Sequence, residues 1–346
     1  LVKTKVLIVD DSVMFRTMLS KALVEKGDID VIGTAADPFE AKDMILKLKP
    51  DVLTLDVEMP KMNGIEFLKK LLPQYSLPVI VVTSSAVNAF EAISAGAVDY
   101  IKKPSGGDTA AFSRELRKMI STARTAKVMK PRVAVPKTGF TSELKKPVMF
   151  DYPQNSRKLI ALGASTGGTE ALQRVLENLP PNMPGIVIVQ HMPAGFTKMY
   201  ADRLDRVCNF DVHEAKDGDR VRQGLVLIAP GGDCHMRVRR DSKGYYVSVQ
   251  RGEKVSGHCP SVDVMFESVA EAAKADAIAV ILTGMGSDGV NGLMKIKQAG
   301  SYTIGQDKDT CVVYGMPMVA FNVGAVQRQA PLDSIAGIIM DRLRRG

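Results

Sequence analysis

Two stretches of this chain repeat one unit: a short run of consecutive apolar residues that ends on a polar or acidic one and gives way to a helical pattern. Consecutive rather than alternating apolar residues mark strands buried on both faces, and a parallel sheet covered by helices on each side buries them in that way. Between Lys5 and Arg124 such runs occupy residues 6–9, 31–35, 52–55, 79–82 and 98–101. They predict five strands and five helices in a doubly wound α/β domain. The pattern resumes over residues 158–163, 186–190 and 277–283, interrupted by 237–240 and 245–250 around Asp241-Ser242-Lys243-Gly244. The interruption predicts a β-hairpin within a second α/β domain whose sheet is mainly parallel. Between the two, residues 125–156 replace apolar stripes with basic residues and prolines, the composition of a connector. The expected division is 1–124, connector 125–156, and 157–346. The halves share no motif spacing, so they are not internal repeats.

Composition narrows the function classes. With 346 residues, 45% hydrophobic and 24% charged, the chain has the material for two buried cores and is not a disordered polymer. No apolar run approaches the ~20 residues of a bilayer span, and residues 1–11 lack the apolar core of a secretory signal. A cytoplasmic protein is expected. Cys208, Cys234, Cys259 and Cys311 show no C-x-x-C spacing, so reduced thiols are expected rather than a disulfide framework. The net charge of +8 invites a nucleic-acid reading, but residues 125–150 alone hold six Lys/Arg against one Glu. The excess therefore concentrates in the connector, and no helix-turn-helix or dense basic helix accompanies it. No nucleic acid is expected as partner, and a monomer is expected.

Ligands of parallel sheets sit beyond the carboxyl ends of the strands, so the residues that finish each run come first. In the first domain these are Asp10 and Asp11, then Asp56, Thr83 and Lys103, followed by Pro104. Crowded carboxylates repel unless they share a cation, and an incomplete, oxygen-rich site suits Mg²⁺. Asp56 is the candidate phosphoryl acceptor, with the metal and Lys103 offsetting charge on the transferred group and Thr83 offering its hydroxyl. Any one of these acids read alone is more often a helix cap or strand-end residue. Lys102 and Lys103 are adjacent, but strand alternation sends them to opposite faces.

The set Val9-Asp10-Asp11-Ser12, Asp56-Val57-Glu58-Met59-Pro60, Asn63-Gly64 and Lys103-Pro104 resembles the receiver domain of two-component response regulators, over roughly residues 4–124. The resemblance implies a flavodoxin-like fold and Mg²⁺ held by Asp11, Asp56 and the backbone carbonyl of Glu58, with Asp10 in support. It also implies phosphate donated by a histidine kinase, and a switch in which Thr83 moves toward the phosphate and Tyr100 changes rotamer.

In the second domain, the run ending at Leu162 enters Gly163-Ala164-Ser165-Thr166-Gly167-Gly168-Thr169, a G-x-S-x-G turn into a helix. Such a turn lifts a serine hydroxyl clear and aims backbone N–H groups at developing negative charge. Taken alone it is more often a phosphate cradle or tight packing. The next run ends directly in His191, a base for Ser165, and the run 277–283 leads through Gly284-Met285-Gly286-Ser287 to Asp288, an acid to orient it. Ser165, His191 and Asp288 are the expected catalytic residues, with backbone N–H groups at Thr166 and Met285 as oxyanion-hole candidates. Asp263 fits a helix N-terminus, Asp307 and Asp309 are within conceivable reach, and His213 sits in a polar stretch typical of the surface. Cys234-His235 and His258-Cys259 look like halves of a metal site, but their spacing matches no zinc pattern. Met192 and Met199 are core or groove residues near His191.

Residues 157–346 resemble the catalytic domain of the CheB family of chemotaxis methylesterases. The resemblance rests on the Ser165 turn, Gln190-His191-Met192-Pro193, Ile228-Ala229-Pro230-Gly231, Pro260-Ser261-Val262-Asp263-Val264, the segment from Leu282 to Gly289, and Val313-Tyr314-Gly315-Met316-Pro317. It implies hydrolysis of glutamate γ-methyl esters on chemoreceptors, deamidation of receptor glutamines, no cofactor for the ester chemistry, and phosphorylation of Asp56 by the histidine kinase CheA. An unphosphorylated receiver covering the Ser165 edge is the regulation it implies. Two other readings remain open from the residues: a receiver-controlled DNA-binding regulator, and a receiver-coupled serine hydrolase of peptides or lipids.

Overall fold

The computed structural model describes residues 3–104, 109–128, 149–152 and 157–345. These fall into two compact units whose division lies within the expected connector, most of which is outside the described residues. In the first, β1 (Thr4–Val9), β2 (Ile29–Ala35), β3 (Val52–Asp56), β4 (Val79–Thr83) and β5 (Asp99–Lys102) alternate with α1 (Val13–Val24), α2 (Pro38–Leu48), α3 (Gly64–Leu71), α4 (Ala86–Ser94) and α5 (Thr109–Ala123). The strands pair in parallel in the order β2-β1-β3-β4-β5, the flavodoxin-like winding. Every residue of β3 and β4 is buried, which is why their sequences run apolar without alternation. Ser12, Asp37, Asn63 and Ser85 each accept a backbone N–H of the helix they precede, so α1 to α4 start where a short polar side chain can occupy the unpaired donors.

The second unit contains β6 (Leu159–Ala164), α6 (Gly168–Glu177), β7 (Ile186–Gln190), α7 (Phe196–Val207), β8 (Asp211–Glu214), β9 (Leu225–Ile228), β10 (Cys234–Asp241), β11 (Gly244–Arg251), α8 (Val262–Ala273), β12 (Ala277–Ile281), α9 (Val290–Gln298), β13 (Tyr302–Gln306), α10 (Met316–Asn322), β14 (Arg328–Ala330) and α11 (Leu332–Arg344). Seven strands form one parallel sheet, β14-β13-β12-β6-β7-β9-β8, and β10 and β11 form the expected antiparallel hairpin. One apolar cluster joins Val187 and Ala279 of the sheet, Met236 and Val247 of the hairpin, and Phe266 and Val269 of α8. Phe150 and Tyr152, within the expected connector, are buried, and the Asn182 side chain pairs with both backbone groups of Phe150. Among the described residues, no helix is long and apolar enough to cross a membrane.

The order of the strands positions the site. In β12-β6-β7 the central strand delivers Ser165, one neighbour delivers His191, and the other leads to Asp288, all at the carboxyl edge. Register keeps them level: Gly163 pairs with Ile281, and Ala164 with Gln190.

Candidate active site

Ser165 is partly exposed at the turn from β6 to α6. Its N–H donates to the Thr283 carbonyl (3.0 Å), and its own carbonyl accepts from Gly168 N (2.7 Å) and from the Gln190 side-chain amide (2.9 Å). Gly284 closes on it so tightly that a Cβ there would lie 2.8 Å from Ser165 Cβ, so this approach requires glycine, the residue that precedes the oxyanion-hole candidate Met285. Thr166, the other oxyanion-hole candidate, follows Ser165 directly, and its carbonyl accepts the Thr283 hydroxyl (3.0 Å).

The His191 N–H donates to the Ala164 carbonyl (3.2 Å), and its ring bonds through Nε2 to Asp288 Oδ2 at 2.7 Å. The Asp288 side chain is 1% exposed, yet it accepts from Ser261 Oγ (2.7 Å), Val262 N (2.7 Å) and Asp263 N (3.0 Å) at the start of α8. Burial alone raises a carboxyl pKa; here the bonds from His191, Ser261 and the Asp263 N–H outweigh it and hold Asp288 below the ordinary value. An ionised Asp288 accepts a hydrogen bond from Nε2–H, so the proton of the neutral ring sits on Nε2. His191 Nδ1, buried and without a hydrogen-bond partner, is then the ring nitrogen with a free lone pair. The structure joins His191 to Asp288, and no hydrogen bond joins Ser165 Oγ to the ring; such bonds are often long before substrate arrives.

Several partners escape a reading of the sequence. Ser261, the N-cap of α8, clamps Asp288, and His235 clamps Ser261 by accepting its N–H at Nδ1 (3.2 Å). Gln190 ties the carbonyls of Ser165 and His191 together, and Thr283 Oγ1 joins the Thr166 and Val313 carbonyls. Asp263 links elements rather than only facing a helix end: its carboxylate accepts from Gly292 N (2.8 Å) and Ser256 Oγ (3.2 Å). Asp307 accepts from Thr310, and the exposed His213 pairs with Asp211 on the edge strand β8, both outside this cluster. His235 uses both ring nitrogens and His258 stacks on His191, so the two Cys-His pairs do not assemble as metal ligands.

The receiver edge gathers its own set. Asp10, Asp11 and Asp56 each offer a carboxylate oxygen, all within 4.8 Å of one another. Lys103 Nζ reaches Asp56 Oδ2 at 2.6 Å and Asp10 Oδ2 at 3.0 Å, while Lys102 is exposed. Burial pushes the Asp56 pKa up, and Lys103 only partly offsets it; burial lowers Lys103, and its two carboxylates more than compensate. Glu58 donates its N–H to Asp56 Oδ1 (3.2 Å), Thr83 is fully buried at the end of β4, and Tyr100 packs edge-on against Phe90.

A flavodoxin-like winding with an acidic cluster at its sheet edge, in one chain with a parallel sheet that brings an Asp–His pair and a partly exposed serine to its carboxyl edge, is the arrangement of a receiver domain joined to a hydrolase. A model of the CheB methylesterase family matches residues 160–339, and one of the response regulator receiver domain matches residues 6–111. The chain is 48% identical over 337 residues, 96% of both chains, to protein-glutamate methylesterase/protein-glutamine glutaminase 2 of Syntrophomonas wolfei. To the protein of that activity name from Syntrophotalea carbinolica it is 46% identical over 352 residues, covering 99% of this chain and 98% of the other. The solved catalytic domain of Thermotoga maritima CheB methylesterase matches with a TM-score of 0.52 at 41% identity, covering 54% of this chain and 98% of that one. The chain belongs to the CheB methylesterase family and carries its receiver domain in the same polypeptide.

Proposed function

We propose that this enzyme hydrolyses glutamate γ-methyl esters on chemoreceptors through Ser165, His191 and Asp288, and deamidates receptor glutamines at the same centre. One observation carries the reading: His191 is bonded at Nε2 to an ionised carboxylate, and its buried Nδ1 is left without a partner at the sheet edge where Ser165 emerges. In the first half-reaction Ser165 Oγ attacks the ester carbonyl and Nδ1 takes its proton, while Asp288 stabilises the imidazolium. Backbone N–H groups at Thr166 and Met285 receive the oxyanion. Nδ1 returns the proton to the departing methoxide, methanol leaves, and water activated by the same nitrogen releases glutamate from the acyl-enzyme. With glutamine the leaving group is ammonia, and no cofactor enters either reaction.

Control belongs to the receiver, residues 1–124, joined by 125–156 to the hydrolase of 157–346. The all-oxygen donor set of Asp10, Asp11 and Asp56, completed by the Glu58 carbonyl, fits Mg²⁺, which when bound neutralises charge on phosphate oxygens. Asp56 accepts the phosphoryl group from CheA, Lys103 pairs with it, and Thr83 and Tyr100 carry the change onward. A cytoplasmic, monomeric enzyme belongs to this reading. The test is methanol release from methylated receptor membranes with and without acetyl phosphate. Release that rises with the phosphoryl donor, and fails to rise in Asp56→Asn, is expected. Cleavage of peptides or lipid esters with no methanol would overturn the proposal.

A further inference from the structure

His191 is restrained along one edge of its ring. The bond from Nε2 to Asp288 fixes a distance but permits tilting about that axis, the ring torsion of a histidine is intrinsically broad, and Nδ1 has no partner to hold it. A general base that tilts aims its lone pair away from the hydroxyl it serves. A second restraint lies across the ring face: the His258 ring is parallel to that of His191, with 3.7 Å between centroids and 7° between planes. That is van der Waals contact over a whole face, and a π face also suits the cation that forms on His191.

The placement of His258 is itself fixed. Val255 and His258 exchange backbone hydrogen bonds of 3.0 and 2.9 Å across Ser256 and Gly257, whose φ angles of 53° and 84° make a tight two-residue reversal. Ser256 Oγ ties the reversal to Asp263 (3.2 Å), and Ser261, Val262 and Asp263 donate to Asp288. One segment, 255–263, therefore supplies both the face contact on the base and the cradle of its acid. His235, the other ring in this region, is spent on Glu253 and Ser261.

We propose that His258 is a positioning residue for the reaction: it lies flat on His191 and holds the plane in which Nε2 meets Asp288 and Nδ1 faces the Ser165 edge. This rests on the triad reading above and extends it. The test uses the full-length chain with His258→Ala, His258→Phe and Ser165→Ala, each checked for native circular dichroism. His258→Ala lowers kcat for methanol release roughly 10- to 100-fold, as expected for a misaimed base, with KM unchanged. His258→Phe restores most of kcat, because a flat ring rather than a titrating group is required. Long-range ¹H–¹⁵N spectra give the second readout: a single Nε2–H tautomer for His191 in the wild type and the Phe variant, and averaged nitrogen shifts in the Ala variant. Wild-type kcat in His258→Ala, a folded His258→Phe as impaired as His258→Ala, or an effect confined to KM overturns the proposal. Turnover by Ser165→Ala overturns the triad reading instead, and unchanged His191 shifts in His258→Ala then still overturn the positioning role.

Discussion

Two aspartates with side chains about equally hidden from solvent are driven in opposite directions by their neighbours. Asp288 receives three donors from the start of α8 besides His191, and its charge is favoured in spite of burial. Asp56 has the Lys103 ammonium and one backbone N–H, beside the second carboxylate of Asp10, and burial wins. A carboxyl whose pKa is higher folded than unfolded costs stability wherever both states are ionised, and nothing once pH lies below the unfolded value. Asp56→Asn is therefore expected to raise the receiver's melting temperature at neutral pH, with the gain fading as pH falls through the raised folded value toward 3.8. Scanning calorimetry of the full chain across that range checks this. An unchanged or lower neutral-pH transition would count against the burial argument.

At the level of elements, α8 connects packing to chemistry, because its first turn is the Asp288 cradle and its body lies on β6. Gly163 makes that closeness possible: a Cβ there would sit 2.3 Å from Val262 Cγ1 and 3.1 Å from Phe266. Gly163→Ala must push α8 outward, at a cost of about 1–3 kcal/mol typical of overpacking, and shifts Val262 N away from Asp288. Urea unfolding should show the loss, accompanied by reduced ester hydrolysis at native temperature; full activity with the stability loss would separate α8 from the site. The central strands β6, β7 and β12 were readable because burial on both faces makes them continuous apolar runs, and their order makes the residues after them neighbours. The edge strands β8 and β14 have too few residues for a period and carry Asp211, His213, Glu214, Arg328 and Gln329. In β13, the polar Thr303 and Gln306 interrupt the apolar run, and they are buried because Ala325, Gln327, Thr283 and Thr310 supply their hydrogen-bond partners. Ser261 and His258 act on residues distant in the chain. Their motif is visible in sequence, but the contact that gives each its role exists only after folding.

For the whole molecule, the proposed function divides the chemistry between the two units, phosphoryl acceptance at one sheet edge and acyl transfer at the other. The solved Thermotoga maritima relative is a catalytic domain by itself, and this chain covers 98% of it. If the unphosphorylated receiver restrains the hydrolase, deleting residues 1–124 raises basal methanol release and abolishes its response to acetyl phosphate. Unchanged or lower release from a folded fragment would speak against restraint, and leave the hydrolytic site untouched as a proposal. That site has its most direct test in turnover of methylated receptor membranes by full-length Ser165→Ala with acetyl phosphate present. The account predicts methanol release at least about 10³-fold below wild type in a protein of native circular dichroism; release near the wild-type rate would contradict it.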